Sequence, residues 1–271
     1  MEDINIIIKD EQIPVPGIGT YLLSGTDCMN TIEQALSIGY RLIDTAQNYE
    51  NESEVGLGIK RTNIPREEIF LITKIAPENF KFEDVSKSTQ TSLKKIDTDY
   101  IDLLLIHWPS GEVQLEETIE AMKELQNKGY TRHIGVSNFP PSLIDETAKH
   151  AKIFANEVEY HPYLVREYLR EHAETNDYLT IGYSPLAKAR VMEDTVLREI
   201  GNNYGKTPPQ VVLRWLLQQG IVPIPKASQD KHLEENMEIF NFNLTNDEML
   251  TINALDRGLH LDPVSDLANE E

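Results

Sequence analysis

Ile69-Phe70-Leu71-Ile72-Thr73-Lys74 is a short apolar run that closes on a lysine, and Asp102-Leu103-Leu104-Leu105-Ile106-His107 is a second that closes on a histidine. Between them, Phe82–Leu93 spaces its apolar residues as one face of a helix. Strand, amphipathic helix, strand is the repeat of a parallel sheet covered by helices. The same unit recurs outward in both directions. Toward the N-terminus lie Leu42–Ile43 and the weaker Gly17–Tyr21, with helical patterns at Cys28–Ile38 and Glu52–Ile59. Toward the C-terminus lie His133–Val136, Phe154–Val158, Leu179–Tyr183 and Ile221–Pro223. They alternate with helical patterns at Leu115–Gln126, Ser142–Ala148, Val165–Glu174, Thr195–Tyr204 and Pro208–Leu217. Gly39, Gly129 and Gly220 follow three of these helices, where a left-handed stop favours glycine.

About eight such units in roughly 250 residues predict an α/β fold, a (β/α)8 TIM barrel. An open doubly wound sheet would want Gly-x-Gly-x-x-Gly after an early strand, and the chain carries no such turn. Ile4–Ile8 and Ile13–Val15, split by Lys9-Asp10-Glu11, predict an N-terminal β-hairpin ahead of the barrel. No composition break interrupts the chain, so residues 1–271 are expected to form a single domain, with the acidic tail Leu259–Glu271 loosely ordered.

The formal charge is −20, from 45 acidic against 25 basic residues. Such a surface repels phosphate backbones and anionic lipids, so neither nucleic acid nor membrane is an expected partner. The single cysteine, Cys28, rules out an internal disulfide and a cysteine metal cage. Low cysteine usage suits a reducing compartment. Met1-Glu2-Asp3 opens without a basic stretch and apolar core, so a cytoplasmic location is expected.

In a barrel of this kind chemistry gathers where strands end and loops begin. Asp44 ends the second strand, Tyr49 lies in the loop after it, Lys74 ends the third strand and His107 the fourth. Together they can move a proton. A tyrosine hydroxyl titrates near 10, but an ammonium about 4 Å away favours the tyrosinate by roughly 4 kcal/mol, or about three pKa units. Lys74 is expected to supply that charge, Asp44 to keep Lys74 protonated and in place, and His107 to hydrogen-bond a carbonyl oxygen that gains negative charge. Each residue alone reads as a surface or core residue. A tyrosine and a lysine together at barrel strand ends have few structural explanations, because burying a lysine is costly.

Arg41-Leu42-Ile43-Asp44-Thr45-Ala46-Gln47-Asn48-Tyr49 resembles the first signature of the aldo-keto reductases. Gly135-Val136-Ser137-Asn138-Phe139 resembles the second and Ile224-Pro225-Lys226-Ala227-Ser228 the third. Asn156-Glu157-Val158-Glu159-Tyr160-His161-Pro162 and Tyr183-Ser184-Pro185-Leu186 are further landmarks, in order from the hairpin to about Leu255. The compact chain and its His107-Trp108-Pro109-Ser110 turn are most similar to the family's bacterial keto-sugar reductases. The resemblance implies reduction of small aldehydes and ketones by a monomer, with Asp44, Tyr49, Lys74 and His107 as the catalytic set. It implies NADPH, with NADH also accepted, lying across the barrel mouth near Thr20. Ser137, Asn138 and Glu157 would meet the carboxamide, Tyr183 would stack on the nicotinamide, and Ser184 and Leu186 would lie by the pyrophosphate. Lys226, Ala227, Ser228, His232, Glu235 and Asn236 would grip the adenosine end. Tyr21 and Trp108, with His107, would line the substrate pocket.

Three positions depart from the family. His232 stands where an arginine is usual, which weakens the grip on a 2′-phosphate. Glu157 stands where glutamine is usual, so it must either accept only or be protonated. Ala76 replaces a tryptophan common two positions after the lysine, leaving a thinner pocket wall. A barrel glycosidase with Glu157 and Glu159 as its carboxylate pair is the competing enzyme. The two are expected to divide between the inner and outer faces of their strand, which would keep them from acting together. A cofactor-binding redox sensor with slow turnover is the non-enzymatic alternative. His161 is expected to be structural, and His150, His172 and His260 to face solvent.

Overall fold

The computed structural model describes residues 5–262. The first four residues and 263–271 lie outside the described residues, and with them the expectations for Met1-Glu2-Asp3 and for most of the tail. A two-stranded antiparallel hairpin, β1 (Asn5–Ile8) and β2 (Glu11–Pro14), opens the fold. Eight parallel strands follow: β3 (Gly17–Gly19), β4 (Leu42–Asp44), β5 (Phe70–Ile75), β6 (Ile101–Ile106), β7 (Thr131–Ser137), β8 (Ala155–Glu159), β9 (Leu179–Tyr183) and β10 (Val222–Ile224). Each pairs with its neighbour in sequence. The ring closes where Gly19 N donates to Pro225 O at 3.1 Å. A Cβ on Gly17 would stand 2.3 Å from Leu42 Cδ2 and 2.8 Å from Ile224 Cγ2. The closing strand therefore needs glycine, which is why its apolar signal is weak. This is a (β/α)8 barrel with an N-terminal hairpin.

The helices are α1 (Gly25–Ile38), α2 (Glu52–Lys60), α3 (Phe82–Ile96), α4 (Leu115–Asn127), α5 (Pro141–Ala148), α6 (Glu167–Asn176), α7 (Thr195–Tyr204) and α8 (Pro208–Gln218). Two more, α9 (Asp230–Met237) and α10 (Asn246–Asn253), escaped the periodicity reading. Both have eight residues and a thin apolar stripe, with Leu233 and Ile252 as their buried apolar residues. Gly39, Gly129 and Gly220 take positive φ after α1, α4 and α8, as expected.

Side chains alternate along a strand, so every second residue of each strand fills the barrel. Leu42, Phe70, Ile72, Leu103, Leu105 and Ile181 belong to this inner cluster, and Ile13 of the hairpin joins it from below. Burying a side chain such as Leu or Phe stabilises the fold by about 1.5–3 kcal/mol. The interior is therefore a packed core with a polar layer above it. The same alternation corrects the expectation for Glu157 and Glu159. Residues two apart on one strand share a face, and both are fully buried, separated along the strand rather than across it.

Candidate active site

The loops at the C-terminal ends of the strands continue the hydrogen-bond ladder for one more step. Thr20 N donates to Asp44 O (3.0 Å), Thr45 N to Ile72 O (3.0 Å), His107 N to Ile75 O (3.2 Å) and Asn138 N to Glu157 O (2.8 Å). The residues just past each strand are thus held by their neighbours, and the polar top layer is rigidly placed. Asp44, Lys74, His107 and Glu157 all belong to it and are buried.

Lys74 is its centre. Its Nζ stands 2.5 Å from Asp44 Oδ1, 3.1 Å from Thr45 O and 3.3 Å from the Tyr49 hydroxyl. Glu157 Oε1, reaching in from β8, is also 3.3 Å away. Burial alone would lower the Lys74 ammonium, but Asp44 and Glu157 outweigh it and hold the group above its ordinary value. The charged form of Lys74 is thereby favoured.

Tyr49 differs from expectation. Burial lifts its hydroxyl above the ordinary tyrosine value, Lys74 pulls it back, and Asp44 and Glu157 add to the rise. The ammonium does not act alone, because two carboxyl groups beside it offset its field. Burial likewise raises Asp44, against the pull of Lys74. Burial first, then Asp44, pushes Glu157 up to about 8, with Lys74 opposing. His107 is lowered to about 3 by burial and then by Lys74, so its ring is neutral. That ring meets Tyr49 edge-on, with centroids 5.6 Å apart.

Tyr49 sits on a 3-10 turn, Gln47–Tyr49, ended by Glu50 in the left-handed region at φ 56°. Two residues that sequence reasoning passed over hold this turn. Asn51 donates from Nδ2 to Thr20 O and Leu23 O (both 2.9 Å) and accepts from Thr45 Oγ1 at 2.8 Å. Gln47 Oε1 accepts from Ala76 N (3.0 Å) and Asn79 Nδ2 (2.9 Å). Asn51 lies just ahead of α2, a position where asparagine commonly caps a helix. That was an available signal, although no capping bond forms there.

A second group surrounds this one. Asn138, at φ 63°, donates to Ser137 Oγ (2.9 Å) and His107 O (3.3 Å) and accepts from the Tyr183 hydroxyl at 3.0 Å. Ser137 Oγ donates to Glu157 O at 2.9 Å. Ser184 turns the chain at φ 50°, and Leu186 is half-buried against the outer core. Thr20 is fully buried, and the Tyr21 ring lies 5.1 Å from that of Tyr49 while staying 55% exposed. Trp108 stacks 6.3 Å from His107. Ala76 is buried with its amide spent on Gln47, so the rim there is low.

The adenosine-end candidates sit farther out, on the loop after β10 and on α9. Lys226 and Ser228 are exposed, and Ala227 is buried. His232 Nδ1 pairs with Glu235 Oε2 at 3.2 Å, and Lys231 Nζ lies 3.5 Å from Glu235 Oε1. Asn236 is buried, near the Tyr40 hydroxyl that donates to Leu233 O at 3.1 Å. Among the described residues no cluster of His, Cys, Asp and Glu could hold a metal. His161 is buried against Glu159 at 3.1 Å. His150, His172 and His260 are half-buried rather than solvent-facing, and His172 bonds the Tyr178 hydroxyl at 3.0 Å.

The mouth has unspent polar capacity. Thr20 Oγ1, His107 Nδ1 and Glu157 Oε2 are buried without a hydrogen-bond partner among the described residues. Buried polar atoms are ordinarily satisfied, so a polar ligand fits here.

Residues 17–257 match the sequence profile of the Aldo/keto reductase family. Glyoxal reductase of Bacillus subtilis (strain 168) is 36% identical over 94% of this chain and 93% of its own. The 2,5-diketo-D-gluconic acid reductase B of Corynebacterium sp. (strain SHS752001) is 39% identical over 90% of this chain and 89% of its own. The solved structure of a Bombyx mori aldo-keto reductase in complex with NADP superposes with a TM-score of 0.91 at 30% identity, covering 98% of this chain and 97% of that one.

Proposed function

The chain belongs to the aldo/keto reductase family, and we propose that it reduces small dicarbonyls and keto-sugars to alcohols, with a nicotinamide dinucleotide as hydride source and Tyr49 as proton donor. One observation carries this: the Tyr49 hydroxyl lies 3.3 Å from a buried, charge-anchored Lys74. The cofactor, when bound, supplies the hydride.

The chain's own residues do the rest. Ser137, Asn138 and Glu157 hold the carboxamide, and Tyr183, tethered through its hydroxyl to Asn138, offers its ring to the nicotinamide. Thr20, Ser184 and Leu186 line the path of the pyrophosphate. Lys226, Ala227, Ser228, His232, Glu235 and Asn236 form the adenosine end. Neutral His107 aims a ring nitrogen at the carbonyl oxygen and, being uncharged, does not repel Lys74. Tyr21 and Trp108 are the apolar walls, and the low rim at Ala76 suits small or varied carbonyls.

Tyr49 keeps its proton at neutral pH because burial lifts its hydroxyl. It remains a competent donor, because an alkoxide is a stronger base than any phenolate. Lys74 then steadies the tyrosinate through charge and hydrogen bond.

NADPH is the proposed cofactor, with NADH also accepted, because His232 is partnered by Glu235 rather than presenting a cationic fork. The proposed enzyme is a cytoplasmic monomer. Its single cysteine, Cys28, suits a reducing compartment. Among the described residues no helix is long and apolar enough to cross a membrane. The test is Tyr49→Phe with methylglyoxal, followed as loss of NADPH absorbance. Reduction should fall by at least about a hundredfold, the lower scale of general acid catalysis. Retention of most activity would refute the assignment.

A further inference from the structure

Lys74 lies between two carboxyl groups, one from β4 and one from β8 on the far side of the barrel. Asp44, Thr45 O, Tyr49 and Glu157 place four oxygens around its Nζ, at 2.5 to 3.3 Å. An ammonium has three protons, so one oxygen is always the weaker partner. Tyr49 and Glu157 are the farthest of the four, both at 3.3 Å, and Glu157 Oε2 is buried without a partner among the described residues. The groups that face it are few. Asp44 and Lys74 come from β4 and β5, and Tyr49 from the turn after β4. Ser137 on β7 bonds its backbone carbonyl. Tyr183 lies on β9, with its hydroxyl spent on Asn138. Glu159, farther along β8, is engaged by His161 and by the amides of Leu261 (2.8 Å) and Asp262 (3.4 Å).

The charge of the mouth therefore turns on one proton. With Asp44 and Glu157 both ionised, the trio with Lys74 is net negative; with one proton shared, it is neutral. An oxidised nicotinamide ring is cationic and a reduced one is neutral. A carboxylate beside the ring distinguishes the two, and a ligand shifts an equilibrium only by such differential affinity.

We propose that Glu157 is a redox-state selector: when ionised, it tightens the oxidised cofactor relative to the reduced one, so that the ratio of their dissociation constants depends on pH. The proposal rests on nicotinamide binding at this mouth. Linkage makes it reciprocal, so binding of oxidised cofactor should release a proton from the pair. At alkaline pH the oxidised product should leave more slowly and limit reduction.

The test is titration of tryptophan fluorescence with NADP+ and with NADPH, from about pH 6 to about pH 9.5, across the range in which a buried carboxyl titrates. The proteins are wild type, Glu157→Asp and Glu157→Gln. The 2′-phosphate and His232 meet both redox forms alike and cancel in the ratio. The wild-type ratio of oxidised to reduced dissociation constants should fall at least about tenfold as pH rises, equivalent to about 1.4 kcal/mol. Glu157→Asp should keep the slope and Glu157→Gln should abolish it. A flat wild-type ratio, or the same slope in Glu157→Gln, overturns the selector while leaving cofactor binding intact. Binding of neither form at any pH overturns the nicotinamide assignment and the selector with it. The wild-type series decides the matter even if a variant fails to fold.

Discussion

The two ends of the barrel hold the same kinds of residue and put them to different ends. At the floor, Asp102 is met by Arg66 Nη2 at 2.7 Å, Arg132 Nη1 at 2.8 Å and Leu71 N at 3.0 Å. Arg132 reaches on to Glu11 of the hairpin at 2.7 Å. His133 stacks there on the Phe154 ring at 3.9 Å, with the Phe70 ring 6.5 Å away. Two carboxylates face two guanidiniums, and each has a close partner. At the mouth two carboxyls share one ammonium, and three buried polar atoms lack a partner among the described residues. The floor's charges are balanced and most of its bonds are made, with His133 Nε2, 3.4 Å from Glu11 Oε2, lacking a hydrogen bond among the described residues, as suits a seal under the barrel. The mouth is short of one cation and several bonds, as suits a surface completed by a ligand.

The contrast can be broken most sharply at its cations. Lys74→Met leaves Asp44 and Glu157 buried without a counter-charge and should cost about 3–5 kcal/mol of stability. Arg132→Met leaves Asp102 with Arg66 and the Leu71 amide, and should cost about 1 kcal/mol, the scale of a part-exposed pair. Urea unfolding of both variants checks the ranking, and equal costs would mean the two ends do not differ in charge balance.

Tyr49→Phe sharpens the comparison from the other side. The expected hundredfold loss of rate, about 2.7 kcal/mol, should come with a nearly unchanged unfolding midpoint, because its hydroxyl is one of four oxygens on Lys74. Rate and stability are thereby separated at the mouth, whereas no floor residue should affect rate without affecting stability.

A smaller effect is expected at the rim. His232→Arg should tighten NADPH by about 1–3 kcal/mol, the scale of a charge-assisted contact, and leave NADH nearly unchanged. Titration with each cofactor checks this, and equal effects would place His232 away from the 2′-phosphate.

The last effect is a pH dependence of stability. Glu157 is raised from 4.5 to about 8 in the folded chain, so the folded state binds more protons than the unfolded state between those values. Its contribution is fully present below the unfolded value and is lost as pH rises through the folded one. Glu157→Gln removes that loss. Its thermal midpoint should gain on wild type progressively as pH rises from about 5 to about 9, since the unfolded state sheds the proton first. A gap that stays constant with pH would mean Glu157 is ionised throughout.

Much of this molecule is legible along the chain. Strand and helix patterns need only neighbours, so the alternation that makes the barrel could be read residue by residue. Asp44, Lys74 and His107 stood out because each closes an apolar run, and a polar residue at that point must lie at the barrel's rim. The hairpin was visible for the same local reason, whereas α9 and α10 were missed because their apolar stripes are thin. Tertiary structure alone decided how the charges add. Glu157 reaches Lys74 from three strands away, and nothing along the chain says that Lys74 carries two carboxyl groups. Tyr49 is consequently less acidic than its lysine neighbour suggested, because burial and the second carboxyl outweigh one ammonium. A pKa depends on every charge within a few ångströms and on the water excluded from among them. Those distances are set only when the barrel closes.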